Sequence, residues 1–229
     1  KDFQDWAVGL DYREDVYRSI KAYADTKPTL EGEDERLFVD TLRDYRRAGL
    51  DLPQSERDEV ERLRKELSRV STDFDANITK ASAKVQFTKE ELEGLPKDFL
   101  DQDDLLNEKG LYELEANVTW HFVTVMENAI LEATRKAMKE ARYSLAAENN
   151  IPLLNEILRL RTLIANKLGY ASWADYKTET KMAGNGATAI QFLKDLNEGL
   201  NSKFAEELES YRAIKAEETN DPNAHLNIW

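Results

Sequence analysis

The chain has 229 residues, of which 34% are charged and 41% hydrophobic, a balance typical of one large globular domain or two small ones. Its 32 basic residues are outnumbered by 45 acidic ones, and a formal charge of −13 argues against nucleic acid or an anionic membrane as a partner. The absence of cysteine excludes disulfides and thiolate metal sites, and no apolar run approaches the roughly 20 residues that span a bilayer.

Hydrophobic residues that recur at three- and four-residue steps predict a mainly α chain of several helices. The predicted helices are Asp11 to Tyr23, about Glu31 to Ala48, Ser55 to about Lys84, Thr119 to Asn128, Ala129 to Ala147, Pro152 to Leu168, a short one after Ser172, and Ala187 to about Arg212. Gly49 and Pro53 separate the second helix from the third, so we expect a long antiparallel hairpin there. Inward positions are expected to include Tyr12, Tyr23, Leu37, Ile78, Ile190, Leu193, Leu196 and Leu200.

Extended structure is predicted at only two places, Val85–Phe87 and Leu111–Val118. They would form one small β-ribbon, the whole β content of the chain. Thr88 and Glu91 form a capping-box pattern at the start of a brief helix, which Gly94 ends. The acidic stretch 97–110 is predicted to be a loop.

The clearest amphipathic helix lies within residues 152–176. The residues that recur on its inward stripe at three- and four-residue steps are Leu153, Leu154, Ile157, Leu158, Arg161, Ile164 and Leu168, and Leu160 and Leu163 widen the stripe. We therefore expect burial on more than one side, and a cost of about 2–5 kcal/mol for Leu158→Ala or Leu168→Ala. Pro152 suits a first helical turn, Gly169 suits a helix end, and Ser172 with Asp175 suits a capped restart, which together describe a packed corner.

Candidate catalytic and metal-binding residues are few. His121 lies between two aromatic residues and favours packing, and His225 favours a surface loop. A zinc site built from these two histidines and a carboxylate is the alternative, which their wide spacing disfavours. The pairs Glu90–Glu91 and Glu206–Glu207 occupy adjacent helical positions, which face apart, and are expected to be solvated.

Three other groups have a structural interpretation beside a functional one. Ser144 and Ser172 have no base nearby in sequence, and Ser172 is explained as a helix cap. The loop 184–186 is glycine-rich but lacks the Lys-[ST] that follows in a phosphate loop. Arg46 and Arg47 could bind a carboxylate or phosphate, but a role at a helix C-terminus, where cations are favoured, is the preferred interpretation.

Residues 167–176, KLGYASWADY, resemble the K-L-G-[YF]-x-[ST]-x-A-[DE]-[YF] stretch of the thimet oligopeptidase family of zinc metallopeptidases, which includes neurolysin, saccharolysin and the mitochondrial intermediate peptidase. Four more segments resemble the family in the same order and with similar spacing. They are Arg43–Pro53 (R-x-G-x-x-L-P), Phe87–Pro96 (F-[ST]-x-x-E-L-x-G-L-P), Trp120–Met126 with Thr134–Lys136, and Asn227–Trp229 (N-x-W).

The resemblance implies half of a two-lobed, channel-type peptidase. Family members hold zinc with an H-E-x-x-H helix and a later Glu, and this chain has no such motif. Because the chain opens on Lys1 and stops at Trp229 with neither a signal peptide nor a helix-ending signal, we expect it to be a piece of a longer protein. Residues 1–229 would be its helical, N-terminal-side portion, with the metal motif downstream.

The expected cofactor is zinc in the complete protein and none in this chain. The resemblance implies no catalytic or metal-binding residue here and leaves the channel-lining residues unidentified. The expected partners are short peptide substrates and the remaining catalytic part of the same protein, in the cytoplasm or, alternatively, the mitochondrion.

Two other functions remain open at this point. One is a non-enzymatic, all-helical protein-interaction module, and the other is an enzyme whose site lies within this chain.

Overall fold

The computed structural model describes Trp6 and residues 13–229. Within that part of the chain are nine helices and one two-stranded sheet, so the prediction of a mainly α fold is confirmed. The elements are α1 Glu14–Asp25, α2 Gly32–Ala48, α3 Gln54–Lys80, β1 Lys84–Phe87, α4 Lys97–Leu100, β2 Tyr112–Glu115, α5 Thr119–Asn128, α6 Glu132–Tyr143, α7 Ala147–Lys167, α8 Trp173–Thr178 and α9 Gly186–Thr219. None of the described helices is both long and apolar enough to cross a bilayer.

The chain divides into two compact units. The first unit comprises Lys1–Phe74 and Ile151–Leu196, and the second comprises Asp75–Asn150 and Asn197–Trp229. Each has its own hydrophobic core.

The core of the first unit lies between α3 and α7. Its buried residues are Leu63, Val70, Ile157, Leu160 and Ile164. At the turn between α2 and α3, Gly49 ends α2 with φ of 100°, a left-handed conformation in which a side chain is strained. A Cβ at Gly49 would also lie only 3.3 Å from Leu168 Cδ2, so glycine allows the turn to pack against the end of α7. The predicted helix end at Gly49 is confirmed.

The start of α7 differs from the prediction. The helix begins at Ala147, after Ala146 with φ of 55°, so Pro152 lies inside it and not in its first turn. Pro152 removes one backbone donor near the start of the helix, and the hydrogen bond from Asn150 N–H to Ala146 O (2.9 Å) closes the turn before it.

The apolar stripe of α7 is buried only in part. Ile157, Leu160 and Ile164 are buried as predicted, but Leu154 and Leu158 remain 43% and 51% exposed. The prediction of burial at Leu158 is therefore wrong for the described part of the chain. The helix has two apolar sides, and the core of the first unit covers one of them.

Helix α9 also departs from the prediction. It continues to Thr219 and not only to Arg212, and the four positions expected to face inward are 47–60% exposed. These residues are Ile190, Leu193, Leu196 and Leu200. Exposure also contradicts the expected burial of Tyr23, Leu37 and Ile78, while Tyr12 lies outside the described residues. Helical periodicity identifies an apolar face but not whether another element covers it.

The second unit is built on the predicted ribbon. Strands β1 and β2 pair antiparallel, with Lys84 opposite Glu115 and Phe87 opposite Tyr112. The second strand is shorter than predicted, because the chain turns after Glu115. The buried side chains of this core are Phe87, Leu92, Leu95, Phe99, Leu105, Tyr112, Leu114, Ala116, Val125, Ala129 and Met138.

Between β1 and β2, the predicted capping-box hydrogen bonds form, but the predicted brief helix does not. Thr88 and Glu91 make the reciprocal hydrogen bonds of a capping box, at 2.8 and 3.3 Å, but residues 89–94 form turns in place of the predicted helix. Gly94 has φ of 99°, and a Cβ there would lie 2.2 Å from Asn128 O. The short α4, in the predicted loop, inserts Phe99 into the core at 1% exposure.

The burial pattern of α7 predicts unequal costs for truncating its leucines and isoleucines in the 229-residue chain. Leu160→Ala and Ile164→Ala should each lower the free energy of unfolding by about 2–5 kcal/mol, because each leaves a cavity in the core. Leu158→Ala should change it by less than about 0.5 kcal/mol, because the side chain is half exposed. Urea unfolding followed by circular dichroism measures all three. Equal losses at Leu158 and Leu160 would contradict the assignment of the two faces.

Candidate functional site

The two histidines have the roles predicted from the sequence. His121 Nδ1 accepts the Glu115 backbone N–H at 3.0 Å, and its ring packs edge-on against Phe99 with centroids 5.8 Å apart. His225 is exposed in the segment after α9. Across the described residues, no three His, Cys, Asp or Glu side chains are grouped in a way that could hold a metal ion. The described residues therefore do not fit a zinc site.

The acidic pairs and serines also have structural roles. Glu91 accepts the Thr88 N–H, and Glu206 and Glu207 are exposed on α9. Ser144 follows α6, and its backbone N–H donates to Glu140 O at 3.0 Å. None of these groups is paired with a base in a way that would make it a nucleophile.

Ser172 is the N-cap of α8, as predicted. Its Oγ accepts the Asp175 N–H at 3.1 Å and donates to Asp175 Oδ2 at 2.7 Å. Asp175 Oδ1 accepts the Gly186 N–H at 2.9 Å, so one carboxylate holds the starts of both α8 and α9. These hydrogen bonds, from Ser172 first and then Gly186, lower the pKa of Asp175. Asn185 accepts the Thr188 N–H at 2.8 Å, so the loop 184–186 is a helix start.

Arg47 binds the corner formed by residues 167–176 and Glu179 at the end of α8. Its guanidinium donates to the carboxylate of Glu179 and to Tyr176 O at 2.6 Å, and lies 4.4 Å from the Tyr176 ring centroid. The Arg47 side chain is 11% exposed. The helix-end interpretation of Arg46 and Arg47 is confirmed, because both lie in the last turn of α2. The carboxylate that they contact is that of Glu179 in the same chain.

Two further side chains complete this cluster. Tyr170 donates its hydroxyl to Glu179 Oε2 at 2.6 Å, and Arg64 donates to Arg47 O and to Tyr176 Oη, each at 2.8 Å. Burial acts to raise the pKa of Glu179, but hydrogen bonds from Tyr170 and Arg47 outweigh it and the pKa is lowered. The cluster is an internally satisfied network, so it can hold the corner in place but offers no free acid or base.

Glu132 is the centre of a second polar network, which the sequence did not indicate. At the start of α6, its carboxylate accepts hydrogen bonds from Lys215 Nζ (3.0 Å), Asn227 Nδ2 (2.5 Å) and Trp229 Nε1 (2.9 Å). Hydrogen bonds from Lys215, Asn227 and Trp229 lower the pKa of Glu132 to about 2. Lys136 Nζ lies 5.1 Å from the Trp229 ring centroid. The N-x-W segment is thereby fixed to α6.

Two surface pockets lie in the first unit. One, of about 520 Å³, is mostly apolar, and the other, of about 500 Å³, contains Lys21 bonded to Asp51 at 3.0 Å and Tyr17 bonded to the same carboxylate. The residues around the apolar pocket are Met182, Ala183, Thr188, Ala189, Phe192 and Leu193.

Known proteins resemble the chain over most of its length. The sequence model of Peptidase family M3 matches residues 125–229. A probable thimet oligopeptidase of Arabidopsis thaliana is 31% identical over 207 residues, which cover 90% of this chain and 29% of that protein. The chain is similar in sequence to the M3 peptidases. Saccharolysin of Saccharomyces cerevisiae is 29% identical over 93% of this chain and 31% of its own length. Oligopeptidase A of Salmonella typhimurium is 26% identical over 94% of this chain and 34% of its own length.

The resemblance read from the five sequence segments is confirmed by these matches. The chain spans about a third of the length of the curated relatives it matches. Segments 43–53 and 167–176 supply Arg47 and Tyr176 of one polar network, and segment 227–229 supplies the Asn227 and Trp229 that bind Glu132 in the other.

The Arg47 network predicts different effects for two adjacent arginines. Arg47→Met should lower the free energy of unfolding by about 1–3 kcal/mol, because Glu179 and Tyr176 O lose a buried donor. Arg46→Met should cost at most about 1 kcal/mol, because that side chain is 55% exposed and only one contact, at 3.2 Å, joins it to Glu179. Urea denaturation compares the two. A loss at Arg46 as large as that at Arg47 would show that the network does not depend on the buried guanidinium.

The Glu132 network predicts that the stability of the folded chain changes in acid. The pKa of Glu132 is about 2 in the folded chain, against an ordinary value of 4.5. The stabilisation from its ionised carboxylate is therefore present above pH 4.5 and is lost as the pH falls towards 2. The indole N–H signal of Trp229, observed by ¹⁵N NMR, should titrate with a midpoint near 2. Glu132→Gln should remove that titration. A midpoint near 4.5 in the unsubstituted chain would contradict the hydrogen-bonded carboxylate.

Proposed function

We propose that residues 1–229 are the helical, N-terminal-side portion of a zinc-dependent metalloendopeptidase that hydrolyses short peptides, and that they form a wall of its substrate channel. The observation that carries the proposal is the match to an oligopeptidase over 90% of this chain but only 29% of that protein. A stretch of that extent has the proportions of one part of a larger enzyme.

The described contacts support a scaffold role. A channel wall has to keep its shape while peptides enter and leave, and rigid helices with satisfied polar networks provide such a shape. The Arg47 network binds the end of α2 to the corner at Tyr170 and Tyr176, and the Glu132 network fixes the last residues of the chain to α6. The proposal assigns no catalytic or metal-binding residue to this chain.

Zinc is the proposed cofactor of the complete protein, with its ligands outside residues 1–229. When bound, zinc would activate the water that attacks a peptide bond. His121 is engaged with the backbone of Glu115, and His225 lies in an exposed loop. The chain's own contribution is therefore to position the remaining catalytic part and to restrict which peptides reach it.

We place the protein in the cytoplasm. The mitochondrion is the alternative, because a mitochondrial intermediate peptidase of Lodderomyces elongisporus is 25% identical over 90% of this chain.

A non-enzymatic helical interaction module is the second candidate. The exposed apolar residues of α9 favour it, since Phe192, Phe204 and Tyr211 are 61–65% exposed. Exposed apolar surface of this kind is common where another protein segment binds. The two candidates differ in what the gene encodes after Trp229, an H-E-x-x-H helix or no catalytic part.

An activity assay tests the proposal. Purified full-length protein with added zinc should cleave a quenched fluorogenic short peptide, and a chelator should abolish the cleavage. The 229-residue chain, assayed identically, should show none, because a metal-dependent hydrolase needs about three protein ligands for its metal. An inactive full-length protein would favour the interaction module. Chelator-sensitive cleavage by the 229-residue chain would show that the site lies within it, and His121→Ala and His225→Ala would then locate it.

A further inference from the structure

Helix α7 has three distinct faces. The buried face holds Ile157, Leu160 and Ile164. A polar face holds Asn155, Glu156, Arg159, Thr162 and Asn166, of which Glu156 and Arg159 form an ion pair at 2.6 Å. The third face is apolar, and its members Ile151, Leu154 and Leu158 are 59%, 43% and 51% exposed. An ordinary surface helix has one apolar face, so a second one indicates a second contact.

Arg161 continues the third face one turn beyond Leu158. Its Nε is buried and has no hydrogen-bond partner, and no carboxylate in the described part of the chain pairs with its guanidinium. The Arg161 guanidinium lies beside the Trp173 ring, whose centroid is 5.7 Å away. A buried N–H donor without an acceptor is unfavourable, so we expect Arg161 Nε to bind an acceptor from outside the described residues.

A second cation lies close to the same aromatic ring. Lys177 is exposed, and its Nζ lies 5.6 Å from the Trp173 centroid. Within residues 13–229, it too has no carboxylate partner. Arg161 and Lys177 thus place two positive charges beside one aromatic ring. The charge at this end of the third face therefore complements an acidic group.

We propose that the α7 docking face, defined as Ile151, Leu154, Leu158 and Arg161, binds a segment of the same polypeptide that lies outside residues 1–229. That segment would place apolar side chains against the aliphatic positions and an Asp or Glu carboxylate on Arg161. This inference rests on one part of the proposed function, that the chain is a portion of a longer protein, and does not depend on peptidase activity.

Length and charge both favour this occupant. The matched relatives are about three times as long as the stretch they share with this chain, so a protein of their size has ample polypeptide to cover the face. A second copy of the chain fits less well, because the α7 docking face contains a cation and no carboxylate. Self-association through it would bring cations together without an acid. Among the described residues, no buried donor without a partner lies on the exposed stripe of α9, so that stripe does not specify its occupant.

Cross-linking in the full-length protein tests the inference directly. A photoreactive benzoylphenylalanine in place of Leu158 should form an intramolecular cross-link to a peptide beyond residues 1–229, located by mass spectrometry. The same residue in place of Asn166, an exposed position on the polar face of α7, is the matched control and should not form it. A cross-link to a second copy, to another protein or to residues 1–12 would overturn the inference, as would no cross-link.

Thermal unfolding gives a second readout. In the full-length protein, Leu158→Asp should lower the midpoint by several degrees, because it places a carboxylate against an acidic, apolar segment. Asn166→Asp, on the polar face, should lower the midpoint by much less. In the same protein, Arg161→Met should lower the midpoint, and Arg161→Lys should restore part of it by retaining the charge. Equal effects of Leu158→Asp and Asn166→Asp would overturn the inference.

Neither readout uses activity, so the two proposals can fail separately. The expected cross-link in a full-length protein that lacks peptidase activity would support the α7 docking face and count against the proposed function. Peptidase activity without the cross-link would do the reverse.

Discussion

The contact between Arg47 and Glu179 is the interaction on which the arrangement of the first unit depends. Arg47 is at the end of α2, and the groups it binds, Glu179 and Tyr176 O, belong to α8 and its end. Charge-assisted hydrogen bonds of a nearly buried guanidinium are directional as well as strong. Apolar packing between α3 and α7 could tolerate small shifts, whereas a planar donor with fixed acceptors selects one position for the corner.

Local signals predicted local structure well. Gly49 and Ser172 end and start helices as their sequence context indicated, and the ribbon forms between the two segments that favoured strands. These features depend on neighbours a few residues away, and the residue types that form caps and turns can be identified in the sequence. The exact helix start at Ala147 was missed, because the left-handed conformation of Ala146 has no sequence signal comparable to that of glycine.

Long-range contacts could not be predicted in the same way. Glu132 binds Asn227 and Trp229, which lie 95 and 97 residues later in the chain. Arg47 binds Glu179, which lies 132 residues later. Periodicity specified the apolar faces of α7 and α9 but not which of them are covered, because coverage depends on the partner element and not on the helix itself. The resemblance to a peptidase family pointed to segments 43–53, 167–176 and 227–229, and the structure shows the long-range polar contacts that they make.

Asp175 joins two helices through a single side chain. One of its oxygens interacts with Ser172 at the start of α8, and the other accepts the first backbone N–H of α9. Fraying of either helix start would therefore remove a partner from the carboxylate that holds the other. The two ends are coupled in free energy, so they open as one cooperative unit and not as independent termini. Gly186 supports this coupling, because a Cβ there would lie 3.0 Å from Ala174 Cβ and keep the two helix starts apart.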